Sequence, residues 1–298
     1  MAPWIWKIIA CVAFIVLGPF IGGLLAGIDR KISARMQRRV GPPIRQPFYD
    51  VGKLLAKENA SDNATEHVYV WMYLIMAVIA GCIFFSGGNF LLVSFILTLG
   101  SLFFIVAAYS TRSPYAEVGA GREILQVMTY EPMVILVAVG FYMVTGSFNV
   151  VDIAAGVNGV APTICWLPLM FIGFCYILTI KLRKSPFDLA MSAEAHQELV
   201  KGITTEMSGK TLAIVEIAEW YETVMFLGWV ALFVSWASWV GVIVCLVCLF
   251  LVYFFEILVD NNFARVKWDV MFKSSWWLAF VFGALNLAAI QLIQHFVM

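Results

Sequence analysis

The stretch "IIACVAFIVLGPFIGGLLAGI", Ile8 to Ile28, carries no charged side chain and stops at "DRK", Asp29 to Lys31. As an α-helix it is about 30 Å long, the thickness of a bilayer's hydrocarbon core. It is too long for the apolar core of a signal peptide, and no small-residue cleavage site follows, so it reads as a retained first span. Seven further apolar runs follow, at about 68–86, 90–109, 124–145, 164–182, 213–235, 238–257 and 276–296. They predict an all-α polytopic membrane protein with about eight transmembrane helices, in one integral membrane domain over 1–298. Composition agrees: 62% of the residues are hydrophobic and 13% charged, where a soluble domain carries about 25% charged. The apolar runs do not alternate, which excludes a transmembrane β-barrel.

Net charge is zero, yet its distribution is lopsided. With eight spans, segments 29–67, 110–123, 181–212 and 258–275 fall on one side. They hold eighteen of the nineteen Lys and Arg, leaving Lys7 alone on the other. Basic loops mark the cytoplasmic face, so both termini are expected outside a cell's inner (cytoplasmic) membrane. The outside connections are short, apart from 147–163, which has Asp152 and no Lys or Arg. No internal repeat is visible. The polar chemistry therefore faces inside.

The first inside loop begins with the basic stretch Arg30–Arg39, suited to anionic lipid heads or to a docked partner. After "GPP", the segment "FYDVGKLLAKE" places Phe48, Val51, Leu54 and Leu55 on one face. This is the pattern of an amphipathic helix lying at the cytoplasmic surface, with Asp50, Lys53 and Lys57 on neighbouring turns. All six cysteines lie in or beside apolar segments. Cys245 and Cys248 form a CxxC with no His or second pair nearby, which reads as packing more readily than as a metal site.

Ionisable groups inside a span cost a few kcal/mol and are functional suspects. Glu131, two turns into the fourth predicted helix and followed by Pro132, is either a proton-exchanging group or the partner of an arginine. Glu216, Glu219 and Glu222 follow at i, i+3 and i+6 and share one stripe of the sixth helix. Glu256 and Asp260 close the seventh. Between helices five and six lies "PFDLAMSAEAHQELVKGITTEMSG", Pro186 to Gly209, with Asp188, Glu194, His196, Glu198, Lys201 and Glu206. Glu194 and Glu198 would share a helical face. These acids can line a funnel from the inside that meets Glu131 and the Glu216–Glu222 stripe, forming a chain of exchangeable carboxyls.

At these residues the sequence resembles a known family. "GPPIRQPFYDVGKLLAKE" and "PFDLAMSAEAHQELVKGITTEMSG", with "REILQVMTYEP" between them, are similar in kind and order to signatures of the complex I subunit 1 family. The resemblance runs from the first helix to about Glu222. It implies an eight-helix subunit, an inside cavity beneath a redox arm, and coupling of electron transfer to ion movement. After "PFD", quinone-reducing members read like "PEAEAELVAG"; here Ala190 and Ser192 stand where those enzymes often carry Pro or acids, and His196–Gln197 precede Glu198. That branch resembles the membrane anchor subunit of energy-converting, Ech-like membrane-bound NiFe hydrogenases, which are ferredoxin-linked. The family's buried-acid role would fall on Glu131, Glu194, Glu198, Glu206, Glu216, Glu219 and Glu222. The face under the redox arm would include Arg38, Arg39, Asp50, Lys53, Asp188 and His196, the last as proton relay or supporting hydrogen bonder. No cofactor or metal is expected on this chain, which lacks a four-Cys cluster set. The resemblance implies a NiFe centre and 4Fe-4S clusters in partner subunits: hydrogenase large and small subunits and an iron–sulfur subunit. An antiporter-like membrane subunit completes the set, in a lipid bilayer and without nucleic acid. The alternatives are a quinone-site subunit of complex I, a formate hydrogenlyase subunit, or, from another class, a stand-alone secondary transporter.

Overall fold

The computed structural model describes residues 3–60, 63–157, 159, 161–191 and 201–297. Its helices are α1 (Pro3–Met36), α2 (Gln46–Ala56), α3 (Ala64–Phe85), α4 (Phe90–Ser110), α5 (Pro114–Thr145), the short α6 (Val150–Ala154), α7 (Pro168–Lys181), α8 (Gly209–Val234) and α9 (Trp239–Asn262). A last rod joins α10 (Trp268–Leu278) and α11 (Leu285–Val297) through a π-helical turn, Ala279–Ala284. Counting that rod once, seven helices among the described residues are long and apolar enough to cross a membrane. The shorter apolar helix α7 takes the fifth of the eight expected places. The amphipathic helix expected after "GPP" is α2, whose Val51 packs with Trp220 and Ala213 of α8.

Two helices outrun their apolar stretches. α1 continues through Arg30, Lys31 and Arg35, and α5 begins at Pro114, ten residues before its predicted start. Hydropathy marks only the part of a helix that lies in hydrocarbon. A helix keeps its own hydrogen bonds on leaving the membrane, so charged residues extend it. Pro114, whose fixed φ suits a first helical position, sets the α5 start.

The core is aromatic. Phe90 of α4 packs on Phe141 of α5 and Trp229 of α8, and Phe233 of α8 meets Phe141 and Phe171. α1 lies tightly on α8 because Gly22 has no side chain: a Cβ there would stand 2.4 Å from the Trp220 carbonyl oxygen. Small residues set such close helix approaches in membranes, where packing rather than hydrophobicity drives association. The outer face of α9 leaves Val240, Ile243, Leu246, Val247 and Phe250 exposed, as a lipid-facing helix does.

α7 starts at the buried Leu167, which offers no side-chain cap. The buried Asn286 of α11 supplies one. Its Oδ1 accepts the Leu169 and Met170 N–H groups at 3.0 and 3.3 Å, and its Nδ2 donates to the Trp166 carbonyl at 2.8 Å. Asn286→Ala should therefore destabilise the protein by about 1–3 kcal/mol, read as a lower melting temperature in detergent. An unchanged melting point would mean that water replaces the cap.

The two ends of the bundle differ. At one end the chain crosses in tight turns: the Phe90 N–H donates to the Phe148 carbonyl, Val150 to Gly88 and Ala237 to Ala155. At the other end lie α2, the C-terminal turns of α1, α7 and α9, the N-terminal turns of α5 and α8, and the connections between them. Asn63 donates there to the Ser110 carbonyl, and Thr211 and Asn59 bracket His67.

Candidate functional site

The site begins with the way α7 stops. The Lys184 N–H reaches the Thr179 carbonyl, and the Arg183 N–H the Ile180 carbonyl. That is a Schellman closure with Arg183 at its left-handed position, φ 50°. Glycine usually stands there, because a side chain costs roughly 1–2 kcal/mol in this conformation. The turn aims the guanidinium back into the bundle. Nη1 donates to Glu219 Oε1 at 2.7 Å and Nη2 to Glu123 Oε1 at 2.8 Å, with the arginine side chain only 11% exposed. Burial works against its charge, but the surrounding carboxylates, Glu123 foremost, outweigh it and lift its pKa well above the usual value. Arg183 is a fixed cation between two helices, and Glu123 Oε2 has no hydrogen-bond partner among the described residues.

Beside this pair opens a vestibule with two lobes, of about 660 and 840 Å3, which share Asp29, Lys184, Glu219 and Asp260 in their walls. Among the described residues, nine ionisable side chains line the first lobe: Asp29, Lys181, Arg183, Lys184, Asp188, Glu219, Glu222, Asp260 and Arg265. Opposite Arg183, Lys184 pairs with Asp29 at 2.5 Å. One turn of α9 beyond Asp260, Glu256 is fully buried, and neither of its carboxyl oxygens is hydrogen-bonded among the described residues.

A buried strap, residues 185–191, closes one wall. Ser185 donates its N–H to Asp260 Oδ1 at 2.8 Å, Gln126 donates to the Phe187 carbonyl at 2.6 Å, and the Val266 N–H donates to the Pro186 carbonyl. Ile203 donates to the Ala190 carbonyl, an approach that needs Gly202: a Cβ there would stand 1.9 Å from the same oxygen.

The sequence-predicted residues separate into groups. Glu216, Glu219 and Glu222 share their stripe as expected: Glu216 lines the second lobe, Glu222 the first and Glu219 both. Glu131 does not join them. It sits about midway along α5, beside a separate void of about 10 Å3 with Ser94, Thr98 and Lys181. The reason is helical phase: α5 turns Glu123, Gln126 and Tyr130 inward, and the next residue lies roughly 100° around. Asp188, expected on the docking face, is buried within the strap and accepts from Arg265 Nε at 3.0 and 3.1 Å. Glu206 is exposed and lines neither lobe. Arg38 and Arg39 are exposed and end α1 in a second Schellman closure, with Arg38 at φ 58°. Lys53 is exposed, while Asp50 pairs with Arg30 at 2.6 Å. Glu194, His196 and Glu198 lie outside the described residues.

Sequence reasoning missed Glu123 because the predicted span began one residue later. Lys181, Arg183 and Lys184 were read only as basic residues marking the inner face. A signal was present: "KLRK" stands directly after an apolar run that is short for a span, so its charges are set near the membrane's depth rather than clear of it.

A family model described as NADH dehydrogenase matches residues 7–291. Hydrogenase-4 component C of Escherichia coli is 30% identical, the match covering 88% of this chain and 89% of that protein. A subunit of the NADH-quinone oxidoreductase of Rubrobacter xylanophilus is 35% identical over 73% of this chain and 71% of its own. Formate hydrogenlyase subunit 4 of Escherichia coli is 28% identical over 86% and 90%. Among solved structures, a chain of the archaeal membrane-bound sulfane sulfur reductase has the same fold, with a TM-score of 0.84 at 23% identity over 95% of this chain and 99% of that one.

Proposed function

The chain belongs to the NADH dehydrogenase family of complex I-type membrane subunits, and from that premise we propose that it is the membrane anchor and coupling subunit of a ferredoxin-linked, ion-translocating NiFe hydrogenase complex. The observation that carries this reading is the charged vestibule, which leads from the basic end of the bundle to the buried Arg183–Glu123–Glu219 cluster. Nine ionisable groups around one lobe make a water-filled entrance for protons. They make a poor bed for an apolar quinone tail, whose site would be mostly apolar.

In this reading the basic end faces the cytoplasm and both termini lie outside. The NiFe centre and 4Fe-4S clusters are held by hydrogenase large and small subunits and an iron–sulfur subunit, docked over Arg38, Arg39 and Lys53. An antiporter-like membrane subunit lies beside the bundle. The chain's own chemistry is charge exchange. Arg183 is shared by two carboxylates, so a proton arriving on Glu219 weakens one of its two bonds and shifts the guanidinium toward Glu123. Glu222, on the next turn, then faces a changed field. Relay of that change along the carboxyls couples the redox arm to ion movement.

Purification of the intact complex tests the assignment. Nickel, iron–sulfur absorbance and ferredoxin-driven hydrogen evolution are expected. Quinone reduction without nickel would replace it with the second reading, a quinone-site subunit, which the Rubrobacter relative favours. Orientation is tested by thiol labelling of one native and one introduced cysteine. Exposed Cys165 should react with an impermeant thiol reagent added outside whole cells, and a cysteine at the exposed Lys210 should not. The reverse pattern would overturn the orientation.

A further inference from the structure

Resting on the reading above, we propose that Lys181 is a mobile proton carrier that joins the vestibule to Glu131. Three spaces meet at this side chain. Lys181 lines the first vestibule lobe, the small void beside Glu131, and a second void of about 10 Å3 with Glu123, Gln126, Arg183 and Glu222. Among the described residues, no other lines both the first lobe and the Glu131 void. Each void has room for roughly one water.

The ammonium is held in a way that allows movement. Among the described residues it makes no ion pair, unlike its neighbours Arg183 and Lys184. Its Nζ lies 3.5 Å from the centroid of the Tyr130 ring and 5.2 Å from that of Phe226. Aromatic faces stabilise a desolvated cation without fixing its N–H groups in hydrogen bonds. The stem can therefore turn between acids without breaking a hydrogen-bonded pair. On the Glu131 side, Ser94 and Thr98 donate their hydroxyl protons to the Leu91 and Ser94 carbonyls. Their remaining lone pairs can accept from the ammonium or from a single water.

The step is a proton transfer with no change of electrons. An N–H bond of the Lys181 ammonium breaks as its proton passes to the Glu131 carboxylate, directly or across one water. The neutral amine then takes a proton from the Glu222 carboxylic acid and recovers its charge. One proton has moved from the inward face of α8 to the outward side of α5. Arginine would keep the charge and the aromatic contacts, but its guanidinium does not release a proton in proteins. That separates a carrier from a structural cation.

The test uses the complete complex reconstituted in vesicles, with assembly read as the stoichiometry of co-purified subunits. Ions moved per hydrogen evolved are compared in wild type, Lys181→Arg, Lys181→Gln and Glu222→Gln. Both Lys181 variants should assemble and lose about tenfold or more of the wild-type ratio. A wild-type ratio in Lys181→Arg, with loss in Glu222→Gln, overturns the carrier and leaves the proposed function standing. Wild-type ratios in Lys181→Arg and Glu222→Gln alike overturn the carrier and the route through Glu222, whereas hydrogen evolution without ion movement in the wild-type complex overturns the proposed function itself. Should Lys181→Arg fail to assemble, Lys181→His decides. Its imidazole exchanges protons near neutral pH, so a ratio that changes across that range supports the carrier, and a wild-type ratio constant across it overturns it.

Discussion

Arg183→Met is expected to destabilise the assembled protein by about 3–5 kcal/mol. The change leaves Glu123 and Glu219 facing each other across a space that the guanidinium now fills. Glu123 is buried, and one of its oxygens already lacks a partner among the described residues, so it would hold an uncompensated charge or take up a proton. Two companions separate the causes. Arg183→Gly loses the same ion pairs but relieves the left-handed backbone, so it should be less damaging than Met by about 1 kcal/mol. Arg183→Met with Glu123→Gln removes the stranded charge and should recover a large part of the loss, because most of the penalty is the unpaired carboxylate. The measurement is the melting temperature of the purified complex, with the amount of chain retained in membranes. Equal melting points for wild type and Arg183→Met would mean that vestibule water solvates both acids and that the pair holds nothing together.

The architecture was legible because bilayer thickness imposes it. A run such as Ile8–Ile28 has one stable fate in lipid, and the basic residues fall on one end whatever the exact helix limits are. α2 was legible for the same kind of reason, since its apolar face repeats at helical spacing. The site was half legible. Glu216, Glu219 and Glu222 were found because three acids at i, i+3 and i+6 must share a face. Glu123 and Glu131 illustrate the opposite case. Both lie on α5, but which one faces the bundle depends on how α5 is rotated, and that is fixed by packing against α4 and α7. Nothing local to "GREILQVMTYEP" specifies it. Arg183 was hidden more deeply. Its place between two acids depends on a helix-ending turn that a non-glycine residue adopts at a cost, held by a strap whose partners lie on α5 and α9 and in the connection to α10. Asp188 was misplaced for a related reason: the polar pattern of its loop suggests a surface, whereas Arg265 and the strap fold it inward.

Glu222→Gln should separate stability from coupling. Glu222 is buried on α8 and lines both the vestibule and the small void that holds Glu123 and Arg183. Glutamine keeps the size and one carbonyl acceptor but cannot ionise. Removing a carboxyl from a membrane span lowers its insertion cost, so the variant should assemble at least as well as wild type. Coupling should fail, because a relay needs a group that both gains and loses a proton. In inverted vesicles, ferredoxin-driven hydrogen evolution should build a gradient about tenfold smaller per hydrogen, or none. Glu131→Gln is the paired measurement, and the two results together locate the path. Loss in both places the route from the vestibule through Glu222 to the outward side of α5. Loss in Glu222→Gln alone ends the route within the vestibule cluster, where the fully buried Glu256 on α9, unpartnered among the described residues, becomes the next group to replace. Wild-type ratios in both would leave these two acids without a part in the path, which would have to run through Glu198 and Glu206 instead.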